Sequence, residues 1–215
     1  RAAFKNVNMD MRNYEKIEMY SHAEALEQYQ LLDDSLHLFL RIGSDYVNNY
    51  YEYAIPLKTT DWYVNKEARE AIWPSENRVD LPLNLLQSVK QERNNLDFAF
   101  DSVYTYVGDD GRLISIVGNP NIGDVKTIML GVRNPVESSS QNGEAQSGEI
   151  WVNELRLTGF NEKGGWAART QVRLRLADFA NIAFAGSMST VGFGSLEKNI
   201  SERNLENSKR YNLTA

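Results

Sequence analysis

Few of the usual reagents for chemistry are present in these 215 residues. There is no cysteine, and His22 and His37 are the only histidines. Disulfides, thiolate metal sites and cysteine nucleophiles are therefore excluded, and a histidine triad or multi-histidine metal site has almost no material. His37 falls on the polar side of an alternating segment, where an exposed or internally satisfied imidazole is expected. What remains is oxygen and aromatic chemistry. The adjacent carboxylates Asp33-Asp34 and Asp109-Asp110 are of the type that ligates calcium in loops, but paired aspartates also simply form turns. The expectation is no cofactor, with structural calcium at one of these pairs as the exception. Trp62, Tyr63 and Trp73 share one connection and could stack on sugar rings; the plainer expectation is that they cap an open end of a β core. Gly192-Phe193-Gly194 is followed by no helical pattern, so it is not a phosphate loop. Nothing in these residues points to an enzyme.

Composition narrows the partners. The net charge is -6, the pI is near 5.1 and 42% of residues are hydrophobic. That is enough apolar material for a real core, and the absence of a basic field argues against a nucleic-acid partner. No segment reaches the roughly 18 consecutive apolar residues of a membrane helix, although transmembrane strands escape that test because only alternate residues need be apolar. Arg1 is no initiator and no leader-like apolar run follows it, so the chain reads as processed or as a piece of something longer.

The elements that must position these residues are mostly strands. Over residues 14–22, Ile17, Met19 and Ser21 alternate with Lys16, Glu18 and Tyr20. Residues 23–32 are polar and helix-forming. Leu36, Leu38, Leu40 and Ile42 share one face of a strand with His37, Phe39 and Arg41 on the other, and Tyr51, Tyr53 and Ile55 are in phase on the next, giving a hairpin. A short helix is expected over 65–72 before Pro74, and an amphipathic helix over 80–94 with Pro82 in its first turn. Residues 103–107 and 112–117 flank a Gly-Asp-Asp-Gly turn as a second hairpin. Ile128, Leu130 and Val132 mark a further strand, and the polar run 134–147 is a loop. Two antiparallel sheets face to face satisfy this spacing, so residues 1–160 read as a soluble β-sandwich, jelly-roll-like, with one or two short helices.

The stretch GEIWVNELRLTGFNEKGGWAA, residues 148–168, separates two kinds of structure. Ile150, Val152, Leu155 and Leu157 are the apolar positions of a strand whose alternation slips, which a β-bulge at Asn153-Glu154 would absorb; the other phase would bury Asn153. Beyond the Gly-rich turn, Thr170, Val172, Leu174 and Leu176 alternate with Arg169, Gln171, Arg173 and Arg175. A short turn around Phe179 returns a strand that begins with Ile182 and Phe184 and continues with small residues on both faces.

IWVNELRL, TGFNEKGGWAA and RLADFANIAFAGSMSTVGFGSLE (residues 175–197) resemble the SprA/Sov family of giant outer-membrane proteins, which form the translocon of the type IX secretion system. The first two thirds of the chain resemble it only in general style. The resemblance implies a fragment of a secretion channel in the outer membrane or at the cell surface, linked to gliding motility. Its partners would be other type IX secretion subunits and secreted cargo proteins, and it carries over no catalytic residues. Residues 161–215 then read as a β-hairpin and charged tail of a larger transmembrane barrel, with Arg169, Gln171, Arg173 and Arg175 facing the lumen and Val172, Leu174 and Leu176 facing lipid. An edge hairpin of the same sandwich is the alternative. Without its barrel neighbours the hairpin is expected to pack elsewhere, to self-associate or to lose regular structure. The sandwich is expected to face outward. Asp34-Ser35-Leu36 and Asp101-Ser102-Val103 fit the tripeptide that the resembled bacteria use for O-glycosylation, which makes Ser35 and Ser102 candidate attachment sites. The competing function is a carbohydrate-binding sandwich of a surface protein, resting on Trp62, Tyr63 and Trp73 and on a likeness of residues 133–157 to the closing strands of such modules.

Overall fold

Where one face of a strand is apolar the chain must find a second apolar face to cover it, and residues 1–160 solve this with two unequal sheets. The computed structural model describes residues 1–26, 30–61, 69–135, 145–161, 164–194, 203–204 and 206–214. The chain divides into two compact units, Arg1–Phe160 and Asn161–Ala215. Six strands of the first unit lie in the order β1 (Ala2–Met9), β8 (Val125–Arg133), β3 (His37–Gly43), β4 (Tyr50–Pro56), β7 (Leu113–Val117) and β6 (Tyr104–Val107). The other three are ordered β5 (Val79–Pro82), β2 (Lys16–Ala25) and β9 (Gly148–Thr158). Every pairing is antiparallel.

The expected alternation holds in the core. Leu38, Leu40, Ile42, Tyr51, Tyr53 and Ile55 of the larger sheet and Ile17, Met19, Val79 and Leu81 of the smaller one join a single buried cluster. Each such side chain contributes roughly 1.5–3 kcal/mol of burial free energy before chain entropy is set against it. The helix α2 (Leu83–Asn95) adds Leu83, Leu86 and Val89 to the same cluster. The fold is thus the antiparallel β-sandwich expected, with two short helices.

Four details differ from the sequence reading. Residues 79–82 form β5, with Val79 and Leu81 each 1% exposed, so α2 begins at Leu83 and Pro82 is its N-cap. The ring of Pro82 disfavours helix at Leu81, and the small sheet supplies β2 as a partner instead. The strand β2 runs on to Ala25, because Ala23 is fully buried and small enough for the packed centre; residues 27–29 of the expected helix lie outside the described residues. Of the helix expected over 65–72, α1 (Arg69–Ile72) is described and the rest lies outside.

The outer face of the large sheet is not the solvated surface expected from His37, Phe39 and Arg41. Phe39, Tyr50 and Glu52 are buried there. The Arg41 guanidinium lies 4.2 Å from the Tyr50 ring centre and 5.5 Å from that of Phe39, and Arg133 covers Phe39 at 4.9 Å. Glu52 accepts from both arginines, which makes its burial tolerable. Across the β3/β8 pair Phe39 faces Gly131, where a Cβ would stand 2.6 Å from the Phe39 ring; glycine is required for that ring to lie flat. Burial and then Arg133 hold His37 below its ordinary pKa of 6.5.

The bulge in β9 is present. Two residues of β9, Glu154 and Leu155, oppose the single residue Met19 of β2, and Glu154 takes the left-handed φ of 56° that such an insertion uses. Ile150 and Leu157 pack on the core, whereas Val152 and Leu155 stay 43% and 42% exposed.

The second unit is one antiparallel sheet in the order β10 (Ala167–Leu176), β11 (Ala180–Ser189) and β12 (Ser208–Thr214). The hairpin expected at its start is present. The tail, expected to be a charged loop, forms a third strand instead and covers one edge of that hairpin. Regular structure is therefore retained, and the outer edge of β10 pairs with no strand among the described residues.

Candidate functional site

Among the described residues the three-stranded sheet covers no buried cluster, yet its register sorts its side chains by polarity. Val172 stands opposite Phe184, which stands opposite Leu213; Leu174 stands opposite Ile182; Thr170, Gly186 and Tyr211 form the next row. These residues share one face by the two-residue period of a strand. Apolar groups on it stand in the open: Val172 is 45% exposed, Leu174 53%, Leu176 51% and Leu213 70%. The opposite face carries the rows Arg169–Ser187–Arg210, Gln171–Ala185–Asn212, Arg173–Ala183–Thr214 and Arg175–Asn181. It holds four arginines and no carboxylate, and none of the four has an ion-pair or hydrogen-bond partner among the described residues.

The ends of the sheet are built differently. At one end Ala177, Asp178 and Phe179 close the hairpin, with Ala177 at φ 43° and the Phe179 amide donating to the Leu176 carbonyl. Phe179 itself is 97% exposed. At the other end Trp166 is clasped to Thr190 through three hydrogen bonds: its amide donates to the Thr190 hydroxyl at 2.8 Å, and its carbonyl accepts from the Thr190 amide at 2.9 Å and hydroxyl at 3.2 Å. Gly165 fits there only as glycine, since a Cβ would meet the Phe193 amide nitrogen at 2.0 Å.

Sequence reasoning identified the β10 faces but missed Arg210, Tyr211 and Leu213. The signal was present as alternation in KRYNLT, but Lys209 sits in phase with the apolar residues and obscures it.

The other candidates are scattered across the first unit. Trp62 and Tyr63 lie outside the described residues. Trp73 packs edge-on against the Tyr20 and His22 rings, and His22 Nδ1 lies 2.6 Å from the Ile72 carbonyl, so this indole is engaged with β2. Phe39 and Tyr50, beneath arginines, offer no free ring to a sugar. Asp34 and Asp33 face Lys58 at 2.7 and 3.7 Å, and Asp110 faces Arg112 at 3.1 Å. Among the described residues no group of three His, Asp or Glu side chains converges as a metal would need. Ser35 is 1% exposed and its hydroxyl donates to the Leu32 carbonyl at 2.6 Å, so the folded chain leaves no room for a glycan on it; Ser102 is exposed. A cleft of about 430 Å³ opens the core where the edge strands β1 and β9 face each other, lined by Val7, Met9, Ile17, Leu40 and Leu157.

A family model described as motility related/secretion protein matches residues 1–215. The chain belongs to the SprA_N family. The match runs through both units, including the first two thirds, where the sequence alone resembled the family only in style. Comparison with curated proteins returns no match. For a member of a secretion and motility family, an exposed sheet sorted into apolar and polar faces carries more weight than the dispersed aromatic and acidic residues of the first unit. Among the described residues no helix is long and apolar enough to cross a membrane, a test that does not bear on strands.

Proposed function

We propose that this SprA_N chain is a structural segment of an outer-membrane protein-export channel of the type IX secretion system, with Asn161–Ala215 as part of a transmembrane barrel wall. The observation that carries this reading is the β10–β12 sheet, apolar on one exposed face and polar on the other. The strands β10 and β11 each have 10 residues. A tilted strand of about 9–11 residues crosses a bilayer, with lipid on one face and water on the other. An arginine turned to lipid at mid-depth would cost about 2–4 kcal/mol, so the arginine face belongs to the lumen. Val172, Leu174 and Leu176 then meet lipid, and Arg169, Gln171, Arg173 and Arg175 meet water.

The same reading orients the segment. Outer-membrane barrels place short turns in the periplasm and longer loops outside. The tight turn at Ala177–Phe179 is then periplasmic, whereas the opposite end of the sheet, at Trp166 and Thr190, is external. The sandwich, joined through residues 161–166, is accordingly an extracellular domain of the channel, where secreted cargo and other secretion subunits would meet it. Cysteines introduced at Val172 and Arg173 in the intact parent protein test the membrane assignment. A water-soluble thiol reagent should label Arg173→Cys and leave Val172→Cys unlabelled; equal labelling of both removes the barrel reading.

A further inference from the structure

The polar face of the β10–β12 sheet is more than merely wettable. Arg169 and Arg210 flank Ser187 in one row, and the middle strand puts only Ala183, Ala185, Ser187 and Ser189 between the two outer strands on this face. Neighbouring strands lie about 4.8 Å apart, so the two arginines rise about 10 Å from each other over a floor of small residues. Arg169, Ala185, Ser187, Arg210 and Asn212 line a trough of about 370 Å³ there. Gln171 and Asn212 add amide groups in the next row, and Arg173 and Arg175 extend the line of charge. From Arg169 to Arg175 the track is roughly 20 Å long at about 3.3 Å per residue.

Charge is distributed unevenly along the chain. Residues 161–215 hold 8 of the 23 basic and 5 of the 29 acidic residues, a net of +3, which leaves -9 on residues 1–160. Among the described residues of the second unit the carboxylates are Asp178 and Glu206; both lie outside the strand rows of the arginine face, and neither pairs with its guanidinium groups. Guanidinium forks hydrogen-bond carboxylates in two-pronged fashion, and their attraction for anions is strongest when no internal acid competes.

We propose that this face is a carboxylate-binding track which holds acidic side chains of an extended polypeptide, with the Arg169–Ser187–Arg210 row as its principal seat. The length of the track fits an extended chain better than a single headgroup, and lipid would meet the other face. This deepens the channel reading, on which it rests for its place in the lumen, by naming acidic polypeptide segments as what the wall contacts. The contact would be weak and repeated, suited to passage rather than retention.

Titration of the whole chain in detergent micelles with fluorescein-labelled octaglutamate, followed by anisotropy, tests this. Binding should weaken as salt rises, and octaglutamine should not bind. The Arg169→Gln/Arg210→Gln double variant should lose about tenfold in affinity, whereas Lys209→Gln, which removes a charge on the opposite face, should stay within about twofold. Equal losses in both variants would reduce the effect to net charge and overturn the track. Tighter binding of inorganic polyphosphate with the same dependence on Arg169 and Arg210 would assign the site to phosphate and overturn the carboxylate. Should the double variant lose its β signal by circular dichroism, Ser187→Cys in otherwise unaltered chain gives a second measure. It should react several-fold faster with an anionic than with a cationic thiosulfonate reagent, and the reverse preference would sink the proposal. Micelle binding does not depend on membrane crossing. Failed binding with labelling of Arg173→Cys but not Val172→Cys in the parent therefore defeats the track alone, and equal labelling of that pair defeats the channel reading.

Discussion

Leu86 in the first unit and Leu174 in the second are the same residue in opposite circumstances: Leu86 is 0% exposed and Leu174 is 53% exposed. Both belong to regular elements with a clear apolar face. In Arg1–Phe160 that face is matched by another face of the same unit, and one cluster of side chains unites two sheets and a helix. In Asn161–Ala215 the apolar face has no such partner among the described residues of its unit. Periodicity therefore reports that a segment separates two environments without naming them. In one unit they are core and water; in the other, on the channel reading, lipid and water.

The contrast is sharpest if the chain is divided. Residues 1–160 produced alone should unfold in one cooperative thermal transition in aqueous buffer, because their core is self-contained. Residues 161–215 alone should show no cooperative transition in buffer and should gain β signal by circular dichroism when detergent micelles are added. A cooperative melt of 161–215 in plain buffer would break the distinction.

Within the intact chain, Leu86→Ala should destabilise the first unit by about 2–5 kcal/mol in denaturant titration, since it empties a fully buried site. Leu174→Ala should change stability in water by less than about 0.5 kcal/mol. An effect between those two is expected at Arg93, which is fully buried on α2 and has no carboxylate partner among the described residues. Its guanidinium donates to the Gly118 carbonyl at 2.6 Å and lies 4.7 Å from the Phe100 ring centre, and burial lowers its pKa. Arg93→Ala should cost about 1–3 kcal/mol by leaving that carbonyl unsatisfied, and Arg93→Met should recover part of the loss through packing.

The smallest effect concerns acid. A hydrogen bond from Lys16, acting against burial and helped by Lys16, Arg78 and Arg156, holds Glu18 below its ordinary pKa of 4.5. Its stabilisation is present above pH 4.5 and lost as pH falls through the lowered folded value. His37, kept below 6.5, adds a loss in the same direction that begins once pH drops under 6.5. The melting temperature of residues 1–160 should therefore fall from pH 7 toward pH 3, and Glu18→Gln should flatten the lower part of that curve. A slope unchanged by Glu18→Gln would remove Glu18 from the acid response.

The strands were legible wherever a period of two ran for five residues or more, as in β3, β8 and β10. The strand β5 was not, because its four residues acquire their identity from pairing with β2, a contact some sixty residues away in sequence. The burial of Phe39, Tyr50 and Glu52 was equally hidden. It depends on Arg41, Arg133 and Gly131 meeting across strands, and sequence displays faces but not cross-strand neighbours. For the candidate site, the arginines of β10 were apparent and their partner Arg210 was not, since it belongs to the same row only once β12 has folded back beside β11.

Among its described residues the second unit has three strands, and three is odd. Because β10, β11 and β12 alternate in direction, the chain makes one net traverse: it enters the sheet beside Trp166 and finishes β12 beside the Ala177–Phe179 turn. In a bilayer that parity assigns the two flanks of the segment to opposite compartments. An epitope placed just before Trp166 and another just after Thr214 would then be read by antibodies on opposite sides of the same membrane.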